Sequence, residues 1–247
     1  MEVELRQALL CLPTIGRFLV PLDGLPTVER HAGADRADVE CVVEGPVRAL
    51  QGLMGGHFAL RGSAVLANGE ALVITGNSGV GKSALAAALT RSGASVLADG
   101  YVFVDAGTPP TLRVTRGRVD LWPDTVTALG LDSAGGELVR AALQKRAFAG
   151  PTPCTQPHVP VRGLVVLTTA PSLISPTPET RYLELPKAMR TLASLGYLRQ
   201  AIAPLGVIDD HFRWLASLVS LRPVELCRGG GDMAESLEGL ALAVPAG

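Results

Sequence analysis

The chain has 247 residues, of which 47% are hydrophobic and 18% charged, and its net charge is −1. That supplies apolar material for one large α/β domain, alone or with a small appendage, and excludes wholesale disorder. Near-neutrality, with no run of Lys or Arg, removes the broad electrostatic footprint of a nucleic-acid or anionic-membrane binder.

No apolar stretch reaches the roughly 18 uncharged residues of a membrane-spanning helix. The start, Met1 to Arg6, carries two acidic residues and one basic one, which is not the positive start of a secretory signal. Cys11, Cys41, Cys154 and Cys227 are scattered, with no CxxC pair, and read as buried thiols of a cytoplasmic protein.

In chain order, residues 1–50 are expected to form a small β-rich segment and residues 51–247 the main domain. The segment's apolar runs Ala8–Leu12, Phe18–Leu22 and Val39–Val43 are separated by Gly, Pro and Asp. Ala64–Leu66 and Ala71–Thr75 flank Asn68-Gly69, a strong hairpin signal because both turn residues tolerate positive φ. Ser83–Ser92, rich in Ala and Leu, predicts a helix that Gly93 stops. Ser95–Ala98 and Tyr101–Val104 predict two strands with a turn at Asp99-Gly100, and Thr108–Pro110 marks a loop. Asp132–Phe148 is expected to be mostly helical, and Pro151–Pro160 a mobile connector. Arg162–Thr168 reads as a strand buried on both faces. Lys187–Ser220 reads as helices broken near Pro204, and Arg222–Leu226 as a last strand.

The chemistry concentrates in Gly76-Asn77-Ser78-Gly79-Val80-Gly81-Lys82-Ser83, which fits G-x-x-x-x-G-K-[ST] at every fixed position. Glycines let successive main-chain N–H groups curl towards phosphate oxygens, and the helix that follows adds the partial positive charge of its N-terminus. Lys82 is placed to reach the β- and γ-phosphates, and the Ser83 hydroxyl to ligate Mg²⁺. Apolar strand before and helix after are the setting this motif requires. The cradle implies nucleotide binding but leaves the fate of the γ-phosphate open.

Residues 59–105 taken together narrow the choice. Ala59-Leu60-Arg61-Gly62-Ser63-Ala64-Val65, a hairpin, the phosphate loop and then Leu97-Ala98-Asp99 resemble the catalytic domain of HPr kinase/phosphorylase. They resemble still more its short stand-alone relatives, including kinases that phosphorylate a serine of lasso-peptide precursors. Val119-Asp120-Leu121-Trp122-Pro123-Asp124, Lys145-Arg146 and the strand Gly163–Thr168 extend the similarity, which covers roughly residues 55–230. The resemblance implies an α/β P-loop kinase fold akin to phosphoenolpyruvate carboxykinase, with ATP and Mg²⁺ as cofactors. It also implies phosphoryl transfer to a serine of a peptide or small protein, and homo-oligomers. By the same resemblance Asp99, at the end of the strand after the loop, is the general base and an Mg²⁺ partner. Two positions depart from the family pattern. Arg61 stands where it usually has His, and Gly100 where it has a second acid. Arg cannot act as a base at neutral pH but can hold phosphate oxygens, so Arg61 is expected to stabilise charge.

His57 is expected to be an ordinary histidine, Asp105 a turn residue and Trp122-Pro123 ordinary packing, while Lys145-Arg146, near the end of an expected helix, reads either as a solvated helix end or as a pair that reaches the γ-phosphate or an acidic peptide. Asp209-Asp210-His211 is expected to cap the helix Phe212–Leu218, and His158 has no partner in the sequence. The leading expectation is an ATP-dependent serine kinase that uses Lys82, Ser83, Asp99 and Arg61. Its rivals are a kinase of a small-molecule alcohol and a catalytically weak nucleotide-binding module.

Overall fold

The computed structural model describes residues 7–115, 117–132, 135–140, 144–150, 153–169 and 178–228. The N-terminal segment opens with a three-stranded antiparallel meander, β1 (Gln7–Leu12), β2 (Gly16–Pro21) and β3 (Thr27–Arg30), paired in that order. The first two apolar runs are therefore strands. The third is not. Val39–Val43 lies in helix α1 (Arg36–Val42) and the wider π-type turn Val43–Val47 that leads into α2 (Arg48–Met54). Asp35 caps α1 by accepting from the Ala37 N–H at 3.2 Å, and Val42, Val47, Leu50 and Leu53 all join the core that holds Phe18 and Val20. That helical spacing against the meander outweighs the strand preference of the valines. The helix α2 runs across residue 50, and the meander shares its core with the main sheet.

The hairpin forms as its turn chemistry requires: β4 (Ala59–Ala67) and β5 (Glu70–Gly76) are joined by Asn68 at φ 53° and Gly69 at φ 83°. Helix α3 (Lys82–Thr90) follows the phosphate loop, and Ala84 to Leu89 are all buried. The strand β6 corrects the sequence reading. It runs unbroken from Ser95 to Asp105, and Asp99 and Gly100 lie in its interior opposite Ser63 and Gly62 of β4. Gly100 adopts φ 87° inside the ladder rather than in a turn, a conformation open to glycine at little cost. Asp99 is thus a mid-strand residue, not one at a strand end.

The strands β7 (Thr111–Arg113), β11 (His158–Thr169), β12 (Glu179–Tyr182) and β13 (Val224–Arg228) complete a seven-stranded sheet of order β12-β13-β11-β5-β4-β6-β7. The strands β11 and β13 run parallel to β5, β4 runs antiparallel to it, and β6, antiparallel to β4, again runs in the direction of β5. The first residues of β11, His158 to Pro160, also pair with β7, so the sheet bends back on itself. The expected Pro-rich connector therefore ends in a strand, and its Pro151 and Thr152 lie outside the described residues. Leu164 to Leu167 of β11 are buried as expected of a central strand.

A second correction concerns Asp132–Phe148. Its described residues form β9 (Glu137–Arg140) and β10 (Lys145–Ala149), which with β8 (Arg118–Leu121) make a small sheet of order β8-β10-β9. The strand β10 satisfies the open edge of β8, with Phe148 opposite Val119 and Arg146 opposite Leu121, and Phe148 packs against the α3 core. Between β8 and β9 lies the short helix α4 (Pro123–Ala128).

Two amphipathic helices, α5 (Leu185–Leu195) and α6 (Ile208–Val219), cover the main core, where Trp214 donates from Nε1 to the Val104 carbonyl at 2.7 Å. Asp209 and Asp210 lie in the first turn of α6, whose cap is Val207. They complement the helix dipole there instead of capping it, and Asp210 pairs with Arg213 at 2.8 Å. No cysteine is fully buried: Cys11 is exposed and Cys41, Cys154 and Cys227 are partly so, all as free thiols. Among the described residues no helix is long and apolar enough to cross a membrane.

Glu225 pins the β12–β13 edge, accepting from Arg181 at 2.5 Å and from Lys187 of α5 at 2.9 Å. Burial pushes its carboxyl pKa up, but the hydrogen bonds and charges of Arg181 and Lys187 outweigh burial and leave it below the usual carboxylate value. A depressed folded-state pKa contributes stability above the unfolded pKa that is lost as pH falls through the folded value. Urea titrations should show Glu225→Gln less stable than wild type at pH 7, with the gap narrowing at acid pH below the unfolded carboxylate value.

Candidate functional site

Between β5 and α3 the chain makes the turn that the glycine spacing dictates. Gly76 ends β5 at φ 150°, where a Cβ would stand 2.4 Å from the Leu167 carbonyl oxygen, so no side chain fits. Val80 turns inward to the α3 core, and Gly81 caps the helix. The loop lies at the carboxyl ends of the parallel strands β5, β11 and β13, the edge at which open α/β sheets place ligands.

Ser78, Gly79, Gly81, Lys82 and Ser83 line a cleft of about 400 Å³. Arg61 of β4 and Asp99 with Gly100 of β6 line it too, so the side chains singled out in the sequence as catalytic converge on one place. Gly76, Asn77 and Val80 shape the loop from behind. Lys82 folds back so that its Nζ donates to the Asn77 carbonyl at 2.7 Å. Burial holds the Lys82 ammonium below its ordinary pKa, Asp99 pulls it up, and Arg61 and Lys145 push it down.

Asp99 is the most constrained group in the cleft. Its Oδ1 accepts from the Ser63 hydroxyl at 2.6 Å and the Ser83 hydroxyl at 2.8 Å, and its Oδ2 from the Asp120 N–H at 2.9 Å. A carboxylate offers about four lone-pair positions. With three donors in place, one position on Oδ2 is left for an incoming group. Oxygen donors of this kind suit Mg²⁺, which takes one or two protein oxygens and completes its shell with phosphates and water. Ser83 and Asp99 fit that pattern, with Asp120 on the same cleft wall. Among the described residues no group of three or more His, Cys, Asp or Glu is placed to hold a metal by itself.

Arg61 lies over the Tyr197 ring at 5.1 Å, and Tyr197 stacks on Tyr101 at 5.4 Å. The guanidinium is thus supported by aromatic rings rather than by a carboxylate. Burial raises the Tyr197 pKa, against a smaller opposing effect of Arg61.

The cleft also contains residues outside the set Lys82, Ser83, Asp99 and Arg61 expected from the sequence. Asp120, Leu121, Trp122, Asp124 and Thr125 come from β8 and α4, Lys145 from β10 and Arg228 from β13. Trp122, expected to be ordinary packing, is 46% exposed on the cleft wall, with Lys145 Nζ over its ring at 4.8 Å. Lys145 is a strand residue of the site, not a helix end. Arg146 turns away to donate to the Gly136 carbonyl at 2.7 Å. The segment 119–124 was visible as a motif, but its carboxylates acquire meaning only when β8 is laid beside β6. Arg228 had no sequence signal. Among the described residues four cations (Arg61, Lys82, Lys145, Arg228) face three carboxylates (Asp99, Asp120, Asp124).

His57 and Asp105 belong elsewhere. Asp105 ends β6 and takes Arg113 Nε at 2.7 Å and His57 Nδ1 at 3.2 Å, so it is an ion-pair partner rather than a turn residue. His158 opens β11 opposite Arg113 of β7.

No protein-family model matches the sequence, and no curated protein matches it either. Among solved structures the chain is similar to the HPr(Ser) kinase/phosphatase from Coxiella burnetii, with 12% identity and a TM-score of 0.34 over 74% of this chain and 93% of that one. At that score the overlay carries no weight, and the chemistry rests on the chain's own geometry.

Gly76→Ala tests whether the turn is fixed by that close approach. The added methyl meets backbone, which has no rotamer to yield. The variant should lose roughly 2 kcal/mol or more of stability in urea unfolding, together with its affinity for triphosphate.

Proposed function

We propose that the chain is an ATP- and Mg²⁺-dependent kinase that transfers the γ-phosphoryl group to a serine hydroxyl of a peptide or small protein. The observation that carries the reading is Asp99, fixed by Ser63, Ser83 and the Asp120 N–H beside the phosphate loop, with one acceptor position open. Lys82 reaches the β- and γ-phosphates while the loop amides cradle the polyphosphate, and the N-terminus of α3 adds to their field. Ser83 would hold Mg²⁺ through its hydroxyl oxygen while donating its proton to Asp99 behind it, which leaves the open side of Oδ2 for the acceptor, and the metal would neutralise phosphate charge. The acceptor hydroxyl loses its proton to Asp99 as its oxygen bonds to the γ-phosphorus. The bond from that phosphorus to the bridging oxygen breaks, and ADP leaves. Arg61, braced by Tyr197, stabilises the charge on the transferred group.

Gly100 removes an acid from the family pattern, but Asp120 supplies a carboxylate to the same cleft from β8. The resemblance of residues 59–105 to stand-alone relatives of HPr kinase favours a ribosomally made peptide precursor, such as that of a lasso peptide, as acceptor.

Two variants test the scheme. Lys82→Ala should lose most triphosphate affinity in calorimetry, about tenfold or more for a charge-assisted contact. Asp99→Asn should still bind ATP yet transfer phosphate from γ-labelled ATP to candidate peptides about 10²–10⁴ times more slowly. An Asp99→Asn protein that equals wild type towards every acceptor would instead mark a nucleotide-binding module.

A further inference from the structure

The cleft is lopsided. Among the described residues its carboxylates, Arg61, Trp122 and Lys145 all stand on the β4–β6–β8 side of the loop, and only Arg228 reaches it from β13 on the opposite side. Leu167 of β11 is level with Gly76 of β5 and with Leu226 of β13. Arg228 therefore stands two residues, about 7 Å, beyond the point where the loop leaves its strand, and two strands, about 10 Å, across from it. Its side chain spans that gap. The guanidinium Nη1 lies 3.9 Å from where a Cβ on Gly81 would be, over the residue that caps α3. Arg181 in the same corner is held by Glu225 at 2.5 Å, while among the described residues no carboxylate or carbonyl takes the Arg228 guanidinium.

The two ends of a bound triphosphate are distinguishable here. Lys82 turns its Nζ back to Asn77, and the charges that act on it are Asp99, Arg61 and Lys145. In a loop of this kind the Lys reaches the β- and γ-phosphates, while main-chain N–H groups cradle the α- and β-phosphates. The acceptor and γ-phosphate thus belong beside Asp99, and the remaining end of the nucleotide runs across Gly81. From this, and resting on the kinase reading above, we infer that Arg228 binds the α-phosphate end of the donor. It thereby makes the site one for nucleoside di- and triphosphates rather than for inorganic pyrophosphate, which needs only the Lys82 end. Arg228 acts on donor binding and takes no part at the transferring phosphorus.

The test is calorimetry of wild type, Arg228→Gln and Arg228→Lys with ADP, ATP and pyrophosphate, each with Mg²⁺. Arg228→Gln should weaken ADP and ATP alike, by roughly tenfold to a hundredfold for a charge-assisted contact, and leave pyrophosphate within about twofold. Arg228→Lys should recover part of the loss, and it serves as the variant of record should the glutamine protein fail to fold. Unchanged ADP and ATP affinity in both variants, or an equal loss for pyrophosphate, overturns the inference. Wild-type protein that binds none of the three overturns the kinase reading itself, a separate result from one in which nucleotides bind and Arg228 is indifferent to them.

Discussion

Everything chemical in this molecule is organised around the clamp on one carboxylate. Asp99 joins three pieces of chain distant in sequence: Ser63 on β4, Ser83 at the start of α3 and the Asp120 main chain on β8. A hydrogen bond to a charged group is worth about twice a neutral one, so this small network also ties the phosphate loop to the sheet that carries it. The same bonds determine which oxygen of Asp99 is available. A carboxylate free to rotate would present either oxygen; this one presents the open side of Oδ2.

Electrostatics then separates the cleft into regions. Among the described residues of the cleft, cations outnumber carboxylates by one, which favours entry of a polyphosphate, and those carboxylates cluster on one side, where oxygen donors and a base are wanted. Lys82 is held by the Asn77 carbonyl, and Arg61 lies on Tyr197 instead of on an acid. Both cations are thereby oriented without being neutralised. An arginine paired to a carboxylate in the same place would have its charge already answered.

The N-terminal segment contributes by packing rather than by chemistry. Its helices α1 and α2 share a core with Phe18 and Val20, and the Tyr101 hydroxyl donates to the Glu44 carbonyl at 2.7 Å. Tyr101 supports Tyr197, which supports Arg61, so the position of a cleft guanidinium depends on residues that a reading of the loop alone would leave out.

The sequence by itself determined those features that consecutive residues can dictate. The Asn68-Gly69 turn, the phosphate loop from Gly76 to Ser83, the Ala-rich helix after it and the buried strand at Arg162–Thr168 follow from local backbone freedom, helix propensity and apolar runs. Where the answer depended on a distant partner, local pattern pointed elsewhere. The described residues of Asp132–Phe148 lie in strands because β8 has an edge to fill, Val39–Val43 is helical because that spacing brings Val39, Val42 and Val43 into the core that holds Phe18 and Val20, and Asp99-Gly100 continues a strand because β4 lies alongside. The same holds for the site. Lys82 and Ser83 were legible because their neighbours in sequence are their neighbours in space. Asp120, Trp122, Lys145 and Arg228 meet the loop only once β8, β10 and β13 have taken their places, and no spacing along the chain encodes that meeting.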